Sequence, residues 1–117
     1  MLHEHGDLRG RTFQFGRRIA RLYVAIPSRN RLGRIYGEQL VRSANSVSAN
    51  YREAQRARST AEYRAKLGDC LREADESLHW LECMEADGIF PASRLADLKS
   101  EADQLVAIFV SLLKDRR

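Results

Sequence analysis

Few residues of this chain have the types and spacing that chemistry needs, and each can be weighed on its own. Glu76 and His79 stand in the Glu-x-x-His spacing that carboxylate-bridged di-metal centres use inside helical bundles. Such a centre needs two copies of the pair plus further carboxylates. This chain has one copy, so the pattern predicts a charge-paired Glu76 rather than a metal ligand. Cys70 and Cys83 are the only cysteines, and if one helix carries both, their Cα atoms lie roughly 20 Å apart, beyond disulfide reach. Free thiols suit a reducing cytoplasm, which is the expected location. Cys70 falls on an apolar stripe and reads as a small core residue, with no histidine close in sequence to activate it. Ser77 and His79 are too close on one helix to supply the geometry of a catalytic triad, and no glycine-rich phosphate loop occurs. His3 and His5, at the terminus, would hold only stray metal. The residues therefore predict no catalytic, cofactor or metal site, and a protein that is not an enzyme.

The remaining chemical resource is arginine. Residues 1–58 hold twelve arginines, no lysine and four acids (Glu4, Asp7, Glu38 and Glu53), a net charge of +8, whereas residues 59–117 hold eight basic and twelve acidic residues, a net charge of −4. Two readings share that asymmetry. Guanidinium groups bind phosphate bidentately and stack on exposed bases, which makes Arg9, Arg11, Arg17, Arg18, Arg21, Arg29, Arg31, Arg34, Arg52, Arg56 and Arg58 a candidate nucleic-acid surface. Alternatively, the arginines pair with the acids of the second half, and the surface is merely a solvated one.

The elements that must position these residues are four amphipathic helices. At 117 residues the chain can enclose one hydrophobic core unaided, and its two prolines and seven glycines permit long helices. The first helix, over about 7–25, carries Leu8, Phe15, Ile19 and Leu22 at helical spacing, with Ile26 just beyond, and Pro27 stops it. The second, 32–56, carries Tyr36, Leu40, Ala44, Val47, Tyr51 and Ala54. Ser59 stands three before Glu62, a capping box that starts the third, 60–86, with Tyr63, Leu67, Cys70, Leu71, Ala74, Leu78 and Leu81. Gly88 caps its end. The fourth, 92–114, carries Leu95, Leu98, Ala102, Leu105, Phe109 and Leu112. Short connections make sequential helices antiparallel, so the predicted fold is an all-α, up-and-down four-helix bundle occupying one domain. The longest apolar run, Leu105 to Leu113, is too short to cross a bilayer, and the first seven residues, with acids and no apolar core, are not expected to act as a signal peptide.

Helices two and three each carry a second stripe. On the second it runs through Ile35, Gln39, Arg42, Ser46, Asn50 and Glu53, and on the third through Lys66, Asp69, Glu73, Glu76 and Trp80. If the hairpin turns near residue 59, Arg42 lies level with Glu76, Ser46 with Glu73, Asn50 with Asp69 and Glu53 with Lys66. Exposed, such pairs contribute little. The favoured reading is a partly buried polar seam that fixes register or joins subunits, with Trp80 as its apolar anchor.

The segments Gln39-Leu-Val-Arg-Ser-Ala-Asn-Ser-Val-Ser-Ala-Asn-Tyr-Arg-Glu-Ala54, Ser59-Thr-Ala-Glu-Tyr-Arg-Ala-Lys-Leu67 and Glu73-Ala-Asp-Glu-Ser-Leu-His-Trp-Leu81 resemble the bacterial four-helix-bundle family of 23S rRNA intervening-sequence proteins. The resemblance takes in Arg11 to Phe15 and the run ending at Pro27, and so covers most of the chain. Its Arg-x-x-x-Ser-x-x-x-Asn-x-x-Glu core falls on Arg42, Ser46, Asn50 and Glu53. The resemblance implies a ring-like homopentamer. Similar proteins are encoded inside insertions of ribosomal RNA genes, and a relative serves as accessory subunit of retroelement reverse transcriptases. The expected function is a non-catalytic oligomeric scaffold binding RNA or an RNA-protein complex through the Arg-rich face, or else a protein-protein adaptor. The expected partners are a second copy of the chain, RNA, and a protein such as a reverse transcriptase, with no membrane.

Overall fold

Four helix starts and stops divide the chain, and three of the starts are made by side chains. The computed structural model describes residues 7–115. Asp7 caps α1 (Leu8–Val24) by accepting from the Gly10 amide at 2.9 Å, and Asn30 caps α2 (Arg31–Gln55) by accepting from Gly33 at 2.9 Å. Ser59 caps α3 (Thr60–Ala86), accepting from the Glu62 amide at 3.0 Å. Glu62 completes the box one residue early, taking the Arg58 amide at 3.3 Å. Gly88, at φ +69°, ends α3: the Ile89 amide donates back to Met84 and the Gly88 amide to Glu85, which satisfies carbonyls the helix leaves open. Pro91 precedes α4 (Ala92–Lys114) and offers no side-chain cap. The sequence boundaries are met within a residue at every end.

Polar contacts fix the directions. Arg9 bonds Gln55 and Tyr23 bonds Glu38, so α1 and α2 are antiparallel. Glu53 meets Lys66 and Arg42 meets Glu76 across α2 and α3, and Lys99 meets Glu85 across α3 and α4. Arg11 reaches Glu101, closing α4 onto α1. The Cα extents of 48 × 22 × 19 Å match two helices by two in cross-section at a packing distance of about 8–10 Å. Phe15, Ile19, Leu40, Val47, Leu67, Leu81, Leu95, Leu105 and Phe109 are fully buried, each contributing about 1.5–3 kcal/mol against exposure. No helix among the described residues is long and apolar enough to cross a membrane.

α1 approaches α2 closely where glycine removes the side chain. A Cβ on Gly37 would lie 2.5 Å from the Tyr23 ring and 3.0 Å from Ile26, and one on Gly16 would lie 2.6 Å from the Asn45 side chain. Gly68, on α3, has nothing within 4 Å of its Cβ position. Both Gly37 and Gly68 are helical, so alanine gains about 1 kcal/mol of helix propensity at either. At Gly37 an overpacking cost of about 1–3 kcal/mol opposes that gain. Urea unfolding should therefore find G68A more stable than the parent and G37A less stable. Equal effects would show that the α1–α2 contact tolerates a methyl group.

Candidate nucleic-acid interface

The α1 surface away from the core is neither purely polar nor paired with acids. Phe13, Arg17, Ala20 and Val24 follow one another at spacings of four, three and four, which places them on one stripe, far around the helix from Phe15, Ile19 and Leu22. Phe13 is 42% exposed. The Arg17 guanidinium carbon lies 5.5 Å from its ring centroid and that of Arg52, from α2, lies 5.8 Å away, within the range of cation–π attraction. Arg17 also donates to the Asn45 side-chain oxygen at 2.8 Å, and Asn45 in turn donates to the Val41 carbonyl at 2.8 Å. Arg34 donates to the Tyr23 hydroxyl at 2.8 Å and covers its ring at 4.9 Å. Neutral amides and aromatic rings hold these guanidinium groups with no carboxylate in direct contact, although the Tyr23 hydroxyl that Arg34 bonds itself donates to Glu38 at 3.3 Å.

Of the eleven candidate arginines, Arg11 is the correction. Its guanidinium forks onto Glu101, with bonds of 2.7 and 3.0 Å, and bonds Gln104 at 2.8 Å, and the Glu101 hydrogen bond raises its pKa further. It is a structural tie between α1 and α4. Arg58 stands 4.0 Å from Glu62 at a 92% exposed side chain, a pair that contributes little. Among the described residues, Arg9, Arg17, Arg18, Arg21, Arg29, Arg31, Arg34, Arg52 and Arg56 form no ion pair within 4.0 Å. The acids of α3 and α4 therefore reach Arg11, Arg42 and Arg58 and leave the other nine arginines of the first half without an ion pair among the described residues.

The second stripe bridges α2 and α3 within one protomer. Arg42 takes both Glu76 and, at 3.3 Å, Glu73; Lys66 meets Glu53 at 2.5 Å. Two expected pairings differ. Glu73 goes to Arg42 in place of Ser46, and Asn50 donates at 2.9 Å to the Ser46 carbonyl on its own helix, while Asp69 takes Arg72 at 2.7 Å. Long arginine side chains reach across a turn where short amides cannot. Trp80 is half-buried: its Nε1 donates to Glu76 at 3.0 Å and its ring lies 5.9 Å from Tyr36, whose hydroxyl donates to Asp87 at 2.5 Å. That bond holds the Tyr36 phenol protonated, its pKa pushed up to about 12.

Beneath this seam lies a contact that periodicity did not single out. The buried hydroxyls of Ser43 and Ser77 meet at 2.9 Å, each also donating within its helix, to the Leu40 and Glu73 carbonyls respectively. One hydroxyl proton cannot serve two acceptors at once, so the pair alternates or shares. Ser77 is thereby a core residue. The Cys70 thiol faces the Val47 carbonyl at 3.7 Å, and burial pushes its pKa up to about 12, which leaves little thiolate at neutral pH. Cys83 lies 3.6 Å from the His79 ring, its pKa also raised by burial. Glu76 is committed to Arg42 and Trp80, and among the described residues no three His, Cys, Asp or Glu side chains gather at metal-ligand distance. His3 and His5 lie outside the described residues.

Fold and surface together define an antiparallel four-helix bundle with one strongly basic face. The chain belongs to the 23S rRNA-intervening sequence protein family, whose model matches residues 7–111. It is similar to the crystal structure of a protein with unknown function from the S23 ribosomal protein family of Bacteroides thetaiotaomicron. The two share 26% identity at a TM-score of 0.84, over 92% of this chain and 98% of that one. No curated protein matches the chain significantly.

The Arg42–Glu76 pair is half-exposed, so a double-mutant cycle with R42A and E76A should give a favourable coupling of about 0.3–1 kcal/mol in unfolding. Additive effects would contradict the contact.

Proposed function

We propose that this protein is a non-catalytic, homo-oligomeric scaffold of the cytoplasm that binds RNA, or an RNA-protein complex, through the outer face of α1 and α2. The observation that carries this reading is the arginine set without ion pairs, with the exposed Phe13 ring within cation–π reach of both Arg17 and Arg52. Charge of one sign on one face is the electrostatic footprint of a nucleic-acid binder. Exposed rings and guanidinium planes add surfaces on which unpaired bases stack. No helix here has the features of a sequence reader, so the expected binding tracks phosphate and unstacked bases. The family description names an rRNA intervening sequence, which makes RNA the first partner to test.

Assembly would multiply a modest patch, since linked copies raise the effective concentration of each face for one RNA. The resemblance to ring-forming relatives suggests a pentamer. The seam from Arg42 to Glu53 and Lys66 to Trp80 is the surface we assign to the subunit contact. A second reading, an adaptor or accessory subunit such as one serving a reverse transcriptase, is favoured by a different feature. Val24, Leu32 and Ile35 are 80%, 44% and 56% exposed and cluster in sequence around the α1–α2 turn, where apolar exposure suits a protein contact.

Binding to structured RNA should weaken steeply with salt, its logarithmic slope reporting several phosphate contacts. Replacing Arg17 and Arg52 together by Gln should lower that slope by about two and weaken binding to all sequences alike. Salt-independent binding, or none at low salt, would exclude the RNA reading. A stoichiometric protein partner that survives nuclease treatment would favour the adaptor.

A further inference from the structure

The groove between α1 and α4 treats its arginines in two ways. Towards the start of α1, Arg11 is answered internally by the Glu101 carboxylate. Two and three turns further on, the same groove opens into a cleft of about 270 Å³ lined by Arg18, Arg21, Leu22, Arg94, Asp97 and Leu98. Leu22 and Leu98 are buried, and the rest of the lining is three arginines and one aspartate. None of the three arginines forms an ion pair within 4.0 Å among the described residues. Arg94 is held in place by the Phe90 ring, 5.0 Å from its guanidinium carbon, and it stands in the first turn of α4, where the helix dipole adds positive potential.

We infer that this cleft is a phosphate-binding site. Three like charges lining one open cleft repel one another, and a bound anion relieves that repulsion. Guanidinium forks match phosphate oxygens bidentately. The volume falls just under the range of drug-sized pockets, and the lining offers no aromatic wall for a base or a cofactor ring. A phosphate group therefore fits, carried either by an RNA backbone or by a small phosphorylated compound. Arg94 was not among the arginines that sequence grouping selected, and it extends the basic face from α1 onto α4. The inference rests on the RNA reading for the source of the phosphate, not for the cleft's affinity.

The test uses the full chain, R94Q, D97N and the R17Q/R52Q double variant, with a short RNA and with inorganic phosphate at constant ionic strength. Arg94 and Asp97 are exposed, and circular dichroism checks that each variant folds. For an RNA-backbone phosphate, R94Q should weaken RNA binding about three- to tenfold and lower the salt slope by about one, while D97N strengthens binding. For a small phosphorylated ligand, RNA affinity should be unchanged in R94Q. Inorganic phosphate should then shift the arginine side-chain NMR signals of the parent chain, shift them more at lower concentration in D97N, and leave R94Q unmoved. Either pattern supports the site. If R94Q and D97N match the parent in both titrations, the cleft inference is overturned, and RNA binding that still depends on Arg17 and Arg52 leaves the RNA reading standing. Phosphate uptake in the cleft by a chain that binds no RNA would support the site and remove the RNA reading.

Discussion

The close approach of α1 to α2 is the constraint from which the charge pattern follows. Gly16 lies against Asn45 and Gly37 against Tyr23 with no side chain of their own between. α1 can thus sink its apolar stripe into the core and hold both flanks against neighbours, with α2 on one side and α4 on the other. What is left of its circumference points outward, and the sequence fills that part with Phe13, Arg17, Ala20, Arg21 and Val24. The acids of α3 stand on the far side of α2 or beyond the core. Those of α4 reach α1 only through Glu101 and the lone Asp97 at the cleft. Geometry therefore keeps most arginines of the first half away from the acids of the second, with Arg11, Arg42 and Arg58 as the exceptions.

That separation distinguishes two uses of arginine in one small molecule. Arg11 and Arg42 work as ties, each spanning two helices to carboxylates that are themselves partly buried. Arg17, Arg34 and Arg52 lean on rings and neutral groups, which orients the guanidinium plane and leaves its charge available. Arginine suits the second use because its fork stays pre-organised and it is more weakly hydrated than lysine. The absence of lysine from residues 1–58 fits a surface built for planar, bidentate contacts rather than for solubility alone.

Apolar spacing carried the helices because every turn of each one answers to the same core, and the capping residues Ser59 and Gly88 mark their ends by local geometry. Level matching found Arg42 with Glu76 and Glu53 with Lys66, where long side chains forgive small offsets. It does not hold for Ser46 and Asn50, because the short Asn50 amide donates to the Ser46 backbone carbonyl on its own helix. The Ser43–Ser77 contact has no periodic signal, because a serine inside an otherwise apolar face breaks no pattern, and only the packed pair shows what it is for. Arg11 and Arg94 show the same limit from opposite sides. Their roles depend on how α4 lies against α1, a distance of 90 residues between Arg11 and Glu101 that no local pattern spans. Phe13 could have been found, since it sits off the stripe of Leu8, Phe15 and Ile19 and so had to be exposed or covered by something else.

The central claim is that folding leaves the α1–α2 face as an open basic surface while the acids are spent elsewhere. Mapping backbone amide shifts as a short single-stranded RNA is titrated at low salt tests it directly. The account predicts perturbations along the outer stripe of α1, the Arg52 to Arg56 turn of α2 and the start of α4, with the outer face of α3 silent. Perturbations centred on α3, or none at saturating RNA, would contradict it.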